Sequence, residues 1–186
     1  MLTPLQELKQ THYFRVIDVD KNGFIEKSDW IKIGDNLAAI RGISKGSKEY
    51  ITIQSNMDIT WNNLREYADR NNDFRVSLDE WLNFEDEKVI NCDDEWYDSY
   101  VNNTVRSLFD ILDENKDGVI SVEEYLQLMV SFRVQPSDGV EAFHKLDSNN
   151  DGLLSKEELL AAVYDFHRSN LPDANGNWLF GPYWKH

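Results

Sequence analysis

The sequence predicts an all-α fold: eight helices forming four helix–loop–helix units in two pairs, packed into one compact globule, with short β pairing between loops. Three observations carry this. An acidic 12-residue segment recurs from Asp18, Asp69, Asp113 and Asp147, at spacings of 51, 44 and 34 residues. Apolar residues at helical spacing lead into every copy. An apolar or aromatic residue (Trp30, Trp81, Tyr125, Leu159) follows every copy just past its end.

In chain order, Tyr13, Phe14 and Ile17 close a helix over 3–17, and Trp30 opens one over 28–40. Trp61, Leu64 and Ala68 end the helix 50–68, and Trp81 lies in 78–90. Val105, Leu108, Phe109 and Leu112 fall at i, i+3, i+4 and i+7 of the helix 94–112, followed by 122–132. Ala142, Phe143 and Leu146 end the helix 138–146, and 156–168 completes the set. The division this implies is residues 1–90 with loops 18–29 and 69–80, residues 91–170 with loops 113–124 and 147–158, and an apolar tail, 171–186. The tail carries Trp178, Leu179, Phe180, Tyr183 and Trp184, and is expected to fold back over the interior rather than lie in water.

Composition narrows the function. The 186 residues include 34 acidic and 19 basic ones, a formal charge of −15, which speaks against a nucleic-acid partner because phosphate binding needs a basic patch. A 41% apolar and 12% aromatic content excludes a disordered acidic tail. Cys92 is the lone cysteine, so no internal disulfide forms and a reducing, cytoplasmic location is expected. The start MLTPLQELKQTHYF reads as neither a signal peptide nor a myristoylation site, and no apolar run is long enough for stable membrane insertion. Nothing resembles a nucleophile with a positioned base, so no enzymatic activity is expected.

The four segments have the donor pattern of a hard divalent cation, which takes six to eight oxygens at about 2.3–2.6 Å. Positions 1, 3, 5, 7 (backbone carbonyl), 9 and 12 supply them. In loop 113–124 these are Asp113, Asn115, Asp117, Val119, Ser121 and Glu124, with Gly118 at the sixth position, where the turn needs positive φ. Loop 147–158 offers Asp147, Asn149, Asp151, Leu153, Ser155 and Glu158, with Gly152 at the turn. The residues at position 8, Ile120 and Leu154, are expected to pair their backbones. These are the features of EF-hand Ca²⁺ loops.

Loop 18–29 supplies Asp18, Asp20, Asn22, Phe24, Glu26 and Asp29, with Gly23 at the turn. Asp29 is one methylene shorter than the usual Glu, so a bidentate reach is harder, and a tighter shell favours Mg²⁺ relative to Ca²⁺. A mixed Ca²⁺/Mg²⁺ site is expected. Loop 69–80 keeps Asp69, Asn71, Asp73, Arg75, Ser77 and Glu80 but has Phe74 at the turn. A bulky residue at positive φ costs roughly 1–2 kcal/mol unless the turn is rebuilt. The carboxylates favour binding, against the alternative of a loop that keeps the fold and holds no ion. The expected content is thus three to four Ca²⁺. Four would take the formal charge from −15 to −7 and relieve self-repulsion.

At these residues the chain resembles the invertebrate sarcoplasmic calcium-binding proteins and the related calexcitins. The segment from Trp61 to Asp69, the closing Asp29, and the tail segment from Gly176 to Gly181 extend the resemblance beyond the loops. It implies two EF-hand pairs around a shared apolar interior and a Ca²⁺/Mg²⁺ buffering role. It also supplies precedent for a second loop that binds without the turn glycine. Many members have lost the fourth loop, whereas this chain keeps its full ligand set.

A buffer reading leads because a sensor usually opens a Met-rich groove, and only Met1, Met57 and Met129 occur here. Trp30, Trp61, Trp81, Phe84, Trp96, Phe109, Phe132 and Phe143 read instead as permanent core. The alternative is a calexcitin-like sensor acting through a protein partner, which the residues do not themselves indicate. A third reading follows from the coelenterazine-binding photoprotein relatives that share the architecture; His12, Trp61, Trp96, Tyr100, His144 and His167 would line their kind of cavity. A monomer is expected.

Overall fold

The computed structural model describes residues 1–185. Helix α1 (Pro4–Ile17) starts at a reciprocal cap: Thr3 Oγ1 accepts from the Gln6 N–H, and Gln6 Oε1 accepts from the Thr3 N–H at 3.0 Å. Helices α2 (Lys27–Ile40) and α3 (Lys48–Ala68) follow. The latter begins two residues before its expected start because Ser47 caps it, accepting from the Tyr50 N–H at 3.1 Å. Then come α4 (Leu78–Phe84), α5 (Asp94–Tyr97), α6 (Asn103–Leu112), α7 (Val122–Ser131), α8 (Pro136–Leu146) and α9 (Lys156–Arg168). Pro136 opens α8, since its fixed φ and missing N–H suit the first turn.

Two expected helices are not continuous α-helix. The stretch read as 78–90 changes into a π-helical turn over Glu85–Ile90, and the stretch 94–112 is split by another over Asp98–Asn102. Each π turn widens the backbone spiral and re-aims its side chains, an effect that hydrophobic periodicity does not register.

Two small antiparallel ladders join the loops in pairs. Strand β1 (Phe24–Ile25) lies against β2 (Val76–Ser77), with Ile25 opposite Val76. Strand β3 (Val119–Ser121) lies against β4 (Leu153–Ser155), with Ile120 opposite Leu154. All four of these position-8 side chains are completely buried, so each ladder is pinned from below by the core.

A single apolar cluster runs through both halves, from Phe14, Trp30 and Trp81 to Phe109, Tyr125, Phe143 and Phe166. Of the aromatics read as core, only Trp96 is half-buried; it stacks on Tyr100 with centroids 5.5 Å apart. Polar bonds also cross between the halves. Arg41, just past α2, donates to the Ile111 and Leu112 carbonyls at the end of α6, at 2.9 and 3.2 Å. Arg133, just past α7, donates to the Val19 carbonyl in the first loop at 2.8 Å. The outgoing helix of loop 1 thus supports the approach to loop 3, and the outgoing helix of loop 3 supports loop 1.

The tail returns over this interior through two short 3-10 turns, Asn175–Trp178 and Tyr183–Lys185. Phe180 stacks on Tyr13 (centroids 3.9 Å, planes 11° apart) and meets Phe166 edge-on. Burying a side chain of that size contributes about 2–3 kcal/mol. Tyr125 Oη donates to the Leu179 carbonyl at 2.9 Å, and His12 Nε2 lies 2.9 Å from the Phe180 carbonyl oxygen. Lys9, fully buried, donates to the Asp165 and Ser169 carbonyls and to Asn177 Oδ1, tying α1, α9 and the tail together. Burial pulls its ammonium down to about 8.

Candidate metal centres

Each of the four loops starts where a helix stops. Asp18, Asp69, Asp113 and Asp147 form the C-terminal caps of α1, α3, α6 and α8, and their side chains are 5–7% exposed. A helix C-terminus carries partial negative charge, so a buried carboxylate there is unfavourable without a cation. Among the described residues, no ion pair involves these four aspartates. Backbone donors hold them instead. In loop 3, Asp113 accepts from the Asp117 and Gly118 N–H groups at 3.1 and 3.0 Å, and in loop 4 Asp147 accepts from Asp151 and Gly152 at 3.2 and 2.9 Å.

The residues at positions 9 and 12 have a structural role of their own. Ser77, Ser121 and Ser155 cap α4, α7 and α9, and Glu80, Glu124 and Glu158 are the partners of those caps. In loop 3, Glu124 Oε2 accepts from the Ser121 N–H and Oγ, both at 2.9 Å, while Oε1 accepts from the Glu114 N–H at 2.9 Å. The spacing S-x-x-E therefore forms a helix-capping box at the two positions expected to supply ligands. Burial pushes the Glu158 carboxyl up, but donors from Ser155, Ser148 and Asn149 outweigh it and hold the group down to about 2. Glu124 and Glu80 are lowered for the same reasons. All three are thus ionised and aimed by the fold.

Loop 1 does this with a shorter side chain. Glu26 takes the cap position, and Asp29 Oδ2 accepts from its N–H at 2.9 Å. Asp29 is completely buried, and desolvation together with the nearby Asp20 and Asp18 pushes its carboxyl up to about 6. Ligand oxygens of Asp18, Asp20 and Asp29 all lie within 4.8 Å of one another. Oxygens on opposite sides of an ion at about 2.4 Å are separated by about that distance, so one divalent cation can touch all three. The donor set fits a hard cation. Asn22 Oδ1 accepts from the Phe24 N–H, and Asn22 Nδ2 donates to Glu26 Oε2, both at 2.9 Å.

Loop 2 keeps the same backbone path despite Phe74. That residue takes φ +66°, where Gly23, Gly118 and Gly152 take +84° to +88°. The turn is not rebuilt. The phenyl ring is left 66% exposed, under the Arg65 guanidinium at 4.7 Å. Asp69 accepts from the Asp73 and Phe74 N–H groups at 3.2 and 3.1 Å, as its counterparts do. One difference is local: Arg75 Nε donates to Asp73 Oδ2 at 3.0 Å, so a guanidinium occupies the position-5 carboxylate. Of the position-7 residues, Phe24, Val119 and Leu153 open β1, β3 and β4, and Arg75 directly precedes β2.

A family model described as EF hand matches residues 10–33, 105–129 and 140–163, the stretches around loops 1, 3 and 4. The chain is an EF-hand protein. Within that class it is similar to the sarcoplasmic calcium-binding proteins and calexcitins. It is 26% identical over 137 residues to sarcoplasmic calcium-binding proteins II, V, VI and VII of Branchiostoma lanceolatum, covering 72% of each chain. It is 31% identical over 113 residues to the sarcoplasmic calcium-binding protein of Scylla paramamosain, covering 58% of this chain and 56% of that one. Among solved structures, the Ca-loaded apo form of the coelenterazine-binding protein from Renilla muelleri shares the fold, with TM-score 0.79 and 21% identity over 97% of this chain and 99% of that one.

Of the six residues named for a photoprotein-like cavity, Tyr100 and His167 line an interior space of about 360 Å³; His12, Trp61, Trp96 and His144 do not. Glu85 does line it, although the spacing of metal ligands gave no reason to single it out. The available signal was its place at i+4 from Trp81 and next to Phe84, a charged residue on the apolar face of its helix.

Proposed function

We propose that this chain is an intracellular Ca²⁺/Mg²⁺ buffer, with ions held by the oxygen sets of loops 18–29, 69–80, 113–124 and 147–158. Loops 3 and 4 are Ca²⁺ sites, loop 1 is shared with Mg²⁺ because of Asp29, and loop 2 binds more weakly because of Phe74 and Arg75. The pairs 1–90 and 91–170 act as one body, closed by the tail 171–186. Among the described residues, no helix is long and apolar enough to cross a membrane.

One observation favours buffering over signalling. Phe180 is packed between Tyr13, Phe166 and Phe132, in a core common to both halves. A sensor must open such an interior to a partner, and here that would remove several buried rings from contact. Calorimetric Ca²⁺ titration of the metal-free protein, with and without millimolar Mg²⁺, tests the reading. Three to four Ca²⁺ are expected, with Mg²⁺ lowering the affinity of one site most. Absence of Ca²⁺ at loops 3 and 4 overturns the assignment. Release of the tail to protease when Ca²⁺ replaces Mg²⁺ would make the protein a sensor instead.

A further inference from the structure

The interior space of about 360 Å³ is within the range of small-molecule sites. Its walls are mostly apolar, with Trp30, Trp81, Phe84 and Tyr100 among them. It reaches the surface between α3 and α6, where the exposed Ile59, Asn63, Asn103 and Thr104 border it. Glu85 and Tyr100 come to it from the two π-helical turns, the irregular parts of otherwise regular helices. Such turns persist where the re-aimed side chain serves a purpose.

Among the described residues, two polar side-chain atoms at this space lack hydrogen-bond partners. Glu85 Oε2 is buried without a hydrogen bond, and so is Trp30 Nε1. The side chains are 2% and 7% exposed. His167 Nε2 lies 3.8 Å from Glu85 Oε2, and its ring is held neutral, lowered to about 3 by burial and by Lys9 and Arg168. The Tyr13 and Tyr100 hydroxyls on the same side are neutral as well, raised by burial. Among the described residues, Glu85 and His167 are the only lining residues with a carboxyl or basic group. An anionic ligand would therefore meet a carboxyl and no cation, whereas an ammonium would meet a carboxyl with no other partner and the faces of aromatic rings.

We propose that this space is a binding site for a small aromatic amine, its ammonium pairing with Glu85 and its ring lying among Trp30, Trp81 and Tyr100. Without ligand, burial keeps the Glu85 carboxyl protonated up to about pH 8. Pairing with R–NH₃⁺ leaves a carboxylate, and its proton passes to solvent: one proton leaves for each amine bound near pH 7. The unpartnered Trp30 N–H is available to an oxygen on the ligand ring.

Tryptamine, indole-3-propionate and 3-methylindole are the probes, titrated calorimetrically into the Ca²⁺-saturated protein at pH 7 in buffers of different ionisation enthalpy. Tryptamine is expected to bind one to one, at least tenfold tighter than either analogue, with close to one proton released. Glu85→Gln should weaken tryptamine at least tenfold and abolish proton release. Leu108→Trp, which fills the space from α6, should remove binding of all three, with Ca²⁺ stoichiometry and far-UV circular dichroism kept as the check on folding. Equal binding of the three probes, tryptamine binding unchanged in Glu85→Gln or Leu108→Trp, or no tryptamine binding would each overturn the proposal.

Discussion

Glu85→Gln should make the protein more stable at alkaline pH while changing little under acid conditions. In the fold, burial moves the Glu85 carboxyl from its ordinary 4.5 to about 8. Between these values the folded protein holds a proton that the unfolded chain has released. Its contribution to stability is therefore intact below about pH 4.5 and is lost progressively as pH rises through 8. Each pH unit in that window costs about 1.4 kcal/mol, which places the loss between pH 5 and pH 8 at about 3–4 kcal/mol. Glutamine keeps the shape and cannot ionise. Guanidinium unfolding at constant Ca²⁺ excess, performed on both proteins at pH 5, 6, 7 and 8, isolates the effect as a difference. His167 titrates with the opposite sign, its stability lost as pH falls from about 6.5 toward 3, but it is common to both proteins and cancels. A stability difference that stays flat from pH 5 to pH 8 would refute the burial argument.

Other changes address the loops and their supports. Phe74→Gly removes a left-handed phenylalanine and should tighten ion binding at loop 2 by up to about tenfold, the equivalent of the roughly 1–2 kcal/mol of strain, as counted by Ca²⁺ titration. Arg41→Ala leaves the Ile111 and Leu112 carbonyls without their guanidinium donor and should lower stability by about 2–3 kcal/mol in denaturant unfolding. In Gly176→Ala the new methyl would run into the Ala162 carbonyl, Asp165 Cβ and the Phe166 nitrogen on α9. A loss of about 1–3 kcal/mol and faster proteolysis of the tail are expected, because neither α9 nor the 3-10 turn can yield.

The ligand pattern was legible because it is local. Twelve consecutive residues carry the donors, and the apolar spacing around them marks the helices on either side. The capping role of Ser121 and Glu124 was present in the same letters, as a serine three residues before a glutamate. The bond to the Glu114 N–H, by contrast, needed the folded loop. At Phe74 the sequence posed a choice between a rebuilt turn and a strained one. The β1–β2 ladder next to it, with Ile25 and Val76 buried beneath, holds the backbone in the strained form.

From its sequence alone this protein is an all-α EF-hand chain with four acidic loops and an apolar tail, because helix period and loop spacing are properties of neighbours along the chain. Tertiary structure decided the rest: the π turns that bring Glu85 to an interior space, the reciprocal Arg41 and Arg133 bonds between halves, and the seat of Phe180 against Tyr13. These depend on groups between 70 and 167 residues apart being held against one another, and no pattern along the chain encodes which of many apolar or charged side chains will meet.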